Sequence, residues 1–116
     1  MRKLKRVKKF SLKKDQRKAL FKILAYHLIM NGKIKTTTPK AKYLKQIMEK
    51  LISKAKSGDL ASLRYLIKKL PKKSAYKLFY EIAPKYQDRT GGYLRVIKLP
   101  FRRIKDNAEL AIIEFV

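Results

Sequence analysis

The side chains that most often do covalent chemistry are scarce in this sequence. It contains a single histidine, His27, and no cysteine, which excludes a thiol nucleophile, a disulfide and any zinc site built from Cys or several His ligands. Its Asp and Glu residues are scattered, and no two have the spacing of a catalytic pair or a metal site. We therefore expect no enzyme activity, no cofactor, no metal and no small-molecule substrate. We place His27 on the apolar face of a helix, as a packed or boundary residue.

Positive charge is what the sequence has in excess. Among 116 residues, 32 are Lys or Arg and 8 are Asp or Glu, which gives a formal net charge of +24. A domain so charged repels itself unless an anion neutralises it, and nucleic acid is the usual polyanion. Lys outnumbers Arg, a balance that suits contact with phosphates better than the reading of base edges. The charge therefore predicts a nucleic-acid partner.

The densest positive charge lies at the start of the chain. Residues 1–10 are predicted to be a basic arm with no fixed shape of its own, and residues 11–116 a single domain. We expect the arm and the polar face of the first helix to contact nucleic acid. The residues concerned are Arg2, Lys3, Lys5, Arg6, Lys8, Lys9, Lys13, Lys14, Arg17, Lys18 and Lys22.

A second candidate site surrounds a pair of glycines, Gly91 and Gly92. Glycine backbone N–H groups can approach a phosphate closely, and neighbouring Arg and Tyr side chains can stack on or clamp a ribose-phosphate chain. The segment is not a P-loop, because no Gly-Lys-Ser/Thr follows and the next element is a strand. The alternative is a tight turn that only folding requires. The expected RNA-binding residues here are Arg89, Gly91, Gly92, Tyr93, Arg95, Lys98, Arg102 and Arg103.

An α+β fold must position these residues. Apolar periodicity predicts four helices, whose expected N-caps are Ser11, Thr38, Asp59 and Ser74 and whose expected stops are Asn31-Gly32, Ser57-Gly58, Pro71 and Pro84. Strands are expected over 33–37, 93–99 and 110–116, the last two forming an antiparallel hairpin around a basic loop, 101–107. The predicted fold has two layers in the order α-β-α-α-α-β-β. A small three-stranded mixed sheet carries the helices on one face.

Several motifs together match a known family. They are Arg17-Lys18-Ala19 with Phe21; Ile34-Lys35-Thr36-Thr37 followed by Pro39-Lys40-Ala41-Lys42; Arg89-Thr90-Gly91-Gly92-Tyr93 with Arg95; and Phe101-Arg102 with Asp106-Asn107-Ala108. With these motifs, and over nearly its whole length, the chain resembles ribosomal protein seventeen of the bacterial large subunit. It departs from that family at Lys3 and Gln16, where the family usually has His.

The resemblance implies a non-enzymatic protein that binds large-subunit ribosomal RNA on the outer side of the subunit, near the peptide exit. Neighbouring large-subunit ribosomal proteins are implied as contacts. Lys35, Thr36, Thr37, Lys40 and Lys42 join the expected RNA-binding residues through the matching motif. The short form fits a bacterial protein on cytoplasmic ribosomes better than a processed organellar relative. No membrane partner is expected, because no apolar run approaches the roughly 18–20 residues of a membrane span.

The alternative class is a DNA-binding or nucleoid-associated basic protein. Such a protein needs a helix organised to read a major groove. The short third and fourth helices offer no base-reading set of Asn, Gln and Arg, and a strand precedes the second helix. RNA is therefore favoured over DNA.

Overall fold

A computed structural model describes residues 12–116. The helices are α1 (Lys14–Asn31), α2 (Thr38–Ala55), α3 (Leu60–Lys69) and α4 (Lys72–Lys77), and the strands are β1 (Lys33–Thr37), β2 (Leu94–Arg102) and β3 (Glu109–Phe115). After α4 the chain makes a π-helical turn over Leu78–Ile82 and a 3-10 turn over Ala83–Tyr86. The predicted α+β class and element order are confirmed. The basic arm, 1–10, and Ser11 lie outside the described residues.

The three strands form one sheet in the order β1-β3-β2. Both pairings are antiparallel, so the hairpin of β2 and β3 is confirmed and the expected mixed sheet is wrong. β1 and β2 do run in the same direction, but β3 lies between them and runs opposite to both. β1 and β2 are therefore parallel but are not hydrogen-bonded to each other.

The core forms where α2 crosses the inner face of the sheet. Apolar residues at three- and four-residue spacing give α2 one continuous stripe. Leu44, Met48 and Ile52 on that stripe are fully buried, as is Ile113 of β3. Burial of a side chain of this size contributes about 1.5–3 kcal/mol. This packing fixes the end of α2 beside the start of β2, where the glycine pair lies.

The local sequence determines the N-cap of α3, whereas a tertiary contact determines how α2 begins. Asp59 caps α3 as predicted: its Oδ1 accepts the Ser62 N–H at 2.8 Å. Hydrogen bonds from Ser62 lower the pKa of the Asp59 carboxyl. At α2 the cap is Thr37, not Thr38. The Thr38 hydroxyl instead donates to the carbonyl oxygen of Glu109 at 3.3 Å, which ties the helix start to β3.

Two other expected caps are also wrong. α1 has Lys13, not Ser11, at its cap position, with no side-chain cap hydrogen bond. α4 is capped by Pro71, and Ser74 lies inside the helix, where its hydroxyl donates to the Pro71 carbonyl oxygen at 2.8 Å. Pro84 does not end the helical stretch, because it lies in the first turn of the 3-10 segment, where its missing N–H is not needed.

His27 is exposed, so its expected place on the packed face of α1 is wrong. Its ring lies against that of Tyr26, with the centroids 5.5 Å apart. The next two residues, Leu28 and Ile29, take the buried positions of this turn. α1 then ends as predicted at Gly32, whose φ of +85° is the left-handed cap conformation.

Candidate nucleic-acid interface

The basic side of α1 borders a groove between α1, α2 and α3, with a volume of about 440 Å³. Its floor is apolar and includes the buried Ala25, Leu51 and Leu70. Its lining contains no acid, and its cationic side chains are Arg17, Lys18, Lys22, Lys50, Lys68 and Lys69. The fold thus joins the predicted cations of α1 to lysines from α2 and α3. The other predicted residues at this end, Lys13 and Lys14, are exposed.

Sequence reasoning missed the contribution of α3 to this groove. Tyr65 lies on its rim, and the Nζ atoms of Lys54 and Lys69 lie 5.4 and 5.7 Å from its ring centroid. These are cation–π distances. Periodicity could show that Lys68 and Lys69 lie in the last turn of α3. Only the packing of α3 against α2, across the groove from α1, makes them part of the same surface.

Among the described residues, ion pairs do not neutralise these helices. Within residues 12–116 all three ion pairs join residues of β2, β3 or the turn between them. The cations that line the groove therefore have no carboxylate partner in that part of the chain. An anion bound in the groove would relieve their mutual repulsion.

The turn that contains Gly91 and Gly92, here called the glycine turn, is held by hydrogen bonds from the residue that follows α2. Nζ of Lys56, the residue after α2, donates to the carbonyl oxygen of Arg89 and to the Tyr93 hydroxyl, the latter at 2.9 Å. The Arg89 guanidinium donates to the carbonyl oxygen of Gly92 at 3.2 Å. Gly92 has a φ of +65°, where a side chain is strained, whereas a Cβ on Gly91 would meet nothing within 4 Å. The turn is therefore preformed, with the Gly91 backbone open to solvent.

Tyr93 is buried, with 1% of its surface exposed. Its ring meets that of Tyr86 edge to face, with the centroids 5.4 Å apart. The expectation that Tyr93 stacks on a nucleotide is therefore wrong, because the core uses the ring. The Lys56 hydrogen bond lowers the pKa of the Tyr93 hydroxyl. Glu49 of α2, which sequence reasoning did not select, binds the Tyr93 backbone N–H.

Hydrogen bonds hold the last two predicted cations, Arg102 and Arg103, at the turn between β2 and β3. The Arg103 guanidinium makes two hydrogen bonds with the Asp106 carboxylate, at 2.8 and 2.5 Å, and holds the Asp106 pKa at about 2. Asn107 has a φ of +58°, and its N–H donates to the Arg103 carbonyl oxygen at 2.8 Å. Arg102 donates to the Asn107 carbonyl oxygen at 3.2 Å. β2 reaches Arg102 rather than ending at residue 99, because a register shift between Lys98 and Arg102 accommodates Pro100 in this edge strand.

Arg95 and Lys98 face carboxylates but remain accessible. Arg95 pairs with Glu114 at 2.9 Å and Lys98 with Glu109 at 3.6 Å, and the two cationic side chains are 57% and 60% exposed. Exposed pairs of this kind contribute about 0–1 kcal/mol, so a phosphate can compete for the cation. In the strand–helix motif, Lys35 and Lys42 are exposed, and Thr36, Thr37 and Lys40 are half-buried.

From Leu12 onwards no group of three or more His, Asp or Glu side chains could hold a metal ion. None of the helices found there combines the length and apolar character that crossing a bilayer requires. The expected arm contacts of Arg2, Lys3, Lys5, Arg6, Lys8 and Lys9 lie outside the described residues.

Comparison with known proteins confirms the resemblance. The family model for ribosomal protein L17 matches residues 20–116. Large ribosomal subunit protein bL17 of a Sulfurihydrogenibium species is 50% identical over 112 residues, covering 96% of this chain and 93% of the relative. The bL17 proteins of Dictyoglomus turgidum and Thermus thermophilus are 48% and 46% identical, cover 100% of this chain, and are themselves covered to 100% and 99%. The chain belongs to the ribosomal protein L17 family.

Proposed function

We propose that this protein, a member of a family of structural and non-enzymatic ribosomal components, binds large-subunit (23S-type) ribosomal RNA. Lys and Arg side chains contact RNA phosphates and replace their counterions, and the folded domain fixes several RNA segments relative to one another. The protein lies on the outer side of the large subunit, near the peptide exit, on cytoplasmic ribosomes.

The observation that carries this proposal is the groove between α1, α2 and α3. Its cations come from three helices, it contains no acid, and no ion pair within residues 12–116 neutralises it. The glycine turn and the β2–β3 turn supply further preformed cationic surfaces. Preformed positive surfaces that converge from distant parts of a chain suit a folded RNA better than a straight duplex.

The DNA-binding alternative needs a helix that is free to enter a major groove. α2 packs its apolar stripe on the sheet, and Leu44, Met48 and Ile52 are fully buried. The end of α3 and the start of α1 border the same groove rather than projecting from the domain. This geometry favours ribosomal RNA.

Neighbouring large-subunit ribosomal proteins are the second class of proposed partner. The face of the sheet that turns away from the helices exposes Ile97, which is 44% accessible, beside the half-buried Ile112. Arg95 of β2 and Lys35 of β1 flank these two residues. An apolar centre with a charged rim is typical of a protein–protein contact.

Filter binding of the full chain to purified 23S ribosomal RNA tests the proposal. If six to ten phosphates are contacted, affinity falls by about 10³–10⁵ between 50 and 200 mM salt. Replacing Arg17, Lys18 and Lys22 by Gln should flatten this dependence by about one unit of log–log slope for each phosphate that the variant no longer neutralises. Lys85→Gln, at an exposed lysine outside these surfaces, is the control and should change little. A flat salt response of the parent protein would remove the electrostatic mechanism.

Placement on the ribosome needs a separate measurement. Chemical crosslinking from lysines of the groove rim, in assembled large subunits, should reach RNA and proteins around the peptide exit. Crosslinks confined to the subunit interface would contradict the proposed position.

A further inference from the structure

The turn between β2 and β3 holds an isoleucine almost entirely in solvent. Ile104 is 99% exposed, and Phe101, near the end of β2, is 55% exposed. A lone exposed apolar side chain needs no explanation. Ile104 differs because it lies at the apex of a hairpin whose backbone and Arg103 side chain are held by hydrogen bonds.

Hydrogen bonds join the residue before Ile104 to residues that follow it in the turn. The Arg103 N–H donates to the Ala108 carbonyl oxygen at 3.0 Å, and the Asn107 N–H donates to the Arg103 carbonyl oxygen at 2.8 Å. Asp106 Oδ1 accepts the Ala108 N–H at 3.2 Å as well as the Arg103 side chain. The turn therefore makes these hydrogen bonds without a partner, which lowers the conformational entropy that binding would cost.

The charge around the apex indicates the partner. Arg102, Arg103 and Lys105 surround Ile104 in the chain, and the one acid of the turn, Asp106, is already bound by Arg103. An apolar protein surface offers no counter-charge to these cations. RNA offers both phosphates for the cations and base faces for an apolar side chain.

Apolar side chains are known to insert between base steps, which they partly unstack. In RNA the bases of loops and bulges are already unstacked enough to be reached. We propose that Ile104 inserts as an apolar wedge between the bases of a loop or bulge in large-subunit ribosomal RNA, with Arg102 and Lys105 on the flanking phosphates. This inference rests on the proposed function and adds to it a contact with bases.

Ile104→Ser in the full chain tests the wedge against purified 23S ribosomal RNA. Affinity should fall roughly five-fold or more, the scale of a single stacking interaction with a base, and the log–log slope against salt should stay the same because no charge changes. Lys105→Gln should instead reduce that slope by about one. Ile23→Ser is the matched control, since Ile23 is 55% exposed on α1, and it should change neither quantity. Melting temperatures should agree among all three variants and the parent, because each residue is largely exposed.

Chemical probing of the bound RNA gives the second readout. The parent protein should raise the reactivity of bases at one step, and Ile104→Ser should lose that enhancement while it keeps the backbone protections. Parent-like affinity of Ile104→Ser would overturn the wedge. So would a variant that binds the RNA normally but no longer co-sediments with large subunits, because the apex would then contact a protein. In either case a steep salt dependence of the parent would leave the proposed function standing.

Discussion

Glu49, in the middle of α2, binds the backbone of Tyr93 just before β2. Its Oε2 accepts the Tyr93 N–H at 3.3 Å, and its Oε1 accepts the Leu94 N–H at 3.2 Å. A single carboxylate thus accepts hydrogen bonds from two consecutive backbone amides. The interaction fixes the glycine turn, just before Tyr93, to the central helix.

Glu49→Ala should lower the free energy of unfolding by about 1.5–3 kcal/mol, because charge-assisted hydrogen bonds are removed and two amides are left without acceptors. Urea unfolding of the isolated protein measures this change. Glu81→Ala is the control, since Glu81 is an exposed glutamate of the π-helical turn, and it should stay within about 0.5 kcal/mol of the parent. Equal losses of stability for the two variants would mean that the hydrogen bonds to Tyr93 and Leu94 do not stabilise the fold.

Gly92→Ala should cost about 1 kcal/mol or more, because Gly92 has a φ of +65° and a Cβ is strained there. Gly91→Ala is the matched control: Gly91 has no such φ, and the added methyl group would meet nothing within 4 Å. Thermal melts of the two variants should therefore differ clearly.

Gly91→Ala also tests whether RNA approaches the turn closely. Because the variant keeps its stability, a loss of affinity for 23S ribosomal RNA would report the added methyl group alone. We expect that loss. Unchanged affinity would show that the glycine pair serves folding only.

Lys56→Met should loosen the glycine turn from α2. It removes the Nζ donor to the Tyr93 hydroxyl and to the Arg89 carbonyl oxygen, at a cost of about 1 kcal/mol. The Lys56 hydrogen bond is the largest cause of the lowered Tyr93 pKa, so that pKa should rise in the variant. NMR titration of labelled tyrosine rings follows it. Lys54→Met, whose Nζ lies over the Tyr65 ring, should leave Tyr93 unchanged.

The Arg103–Asp106 pair should break only in strong acid. The pKa of Asp106 is lowered from 3.8 to about 2, chiefly by the Arg103 hydrogen bonds. The folded state therefore binds this proton more weakly than the unfolded chain, and the contribution to stability is present above about pH 4 and disappears as the pH falls towards 2. Carboxyl NMR should give a midpoint near pH 2. Arg103→Gln should raise that midpoint, and Arg102→Gln should not.

Local patterns in the sequence were enough to predict most of the helices and the Asp59 cap of α3. The apolar stripe of α2 repeats at three- and four-residue spacing, and Asp59 caps α3 through an N–H only three residues away. Gly32 ends α1 through the same kind of short-range interaction. Neighbours along one turn decide these features, so the sequence shows them directly. The net charge and the family motifs are likewise properties of the chain itself.

Features that depend on contacts between distant parts of the chain could be seen only in the tertiary structure. Thr38 does not take its expected cap position because its hydroxyl reaches Glu109, 71 residues away in the chain. The aromatic ring of Tyr93 suggests a stacking surface in the sequence, but the core between α2 and β2 buries it. The groove exists only because α1 and α3 both pack against α2, which adds Lys68 and Lys69 to the cations of α1. Short-range periodicity records which face of an element is apolar, whereas the partner of that face depends on how all the apolar surfaces are buried together.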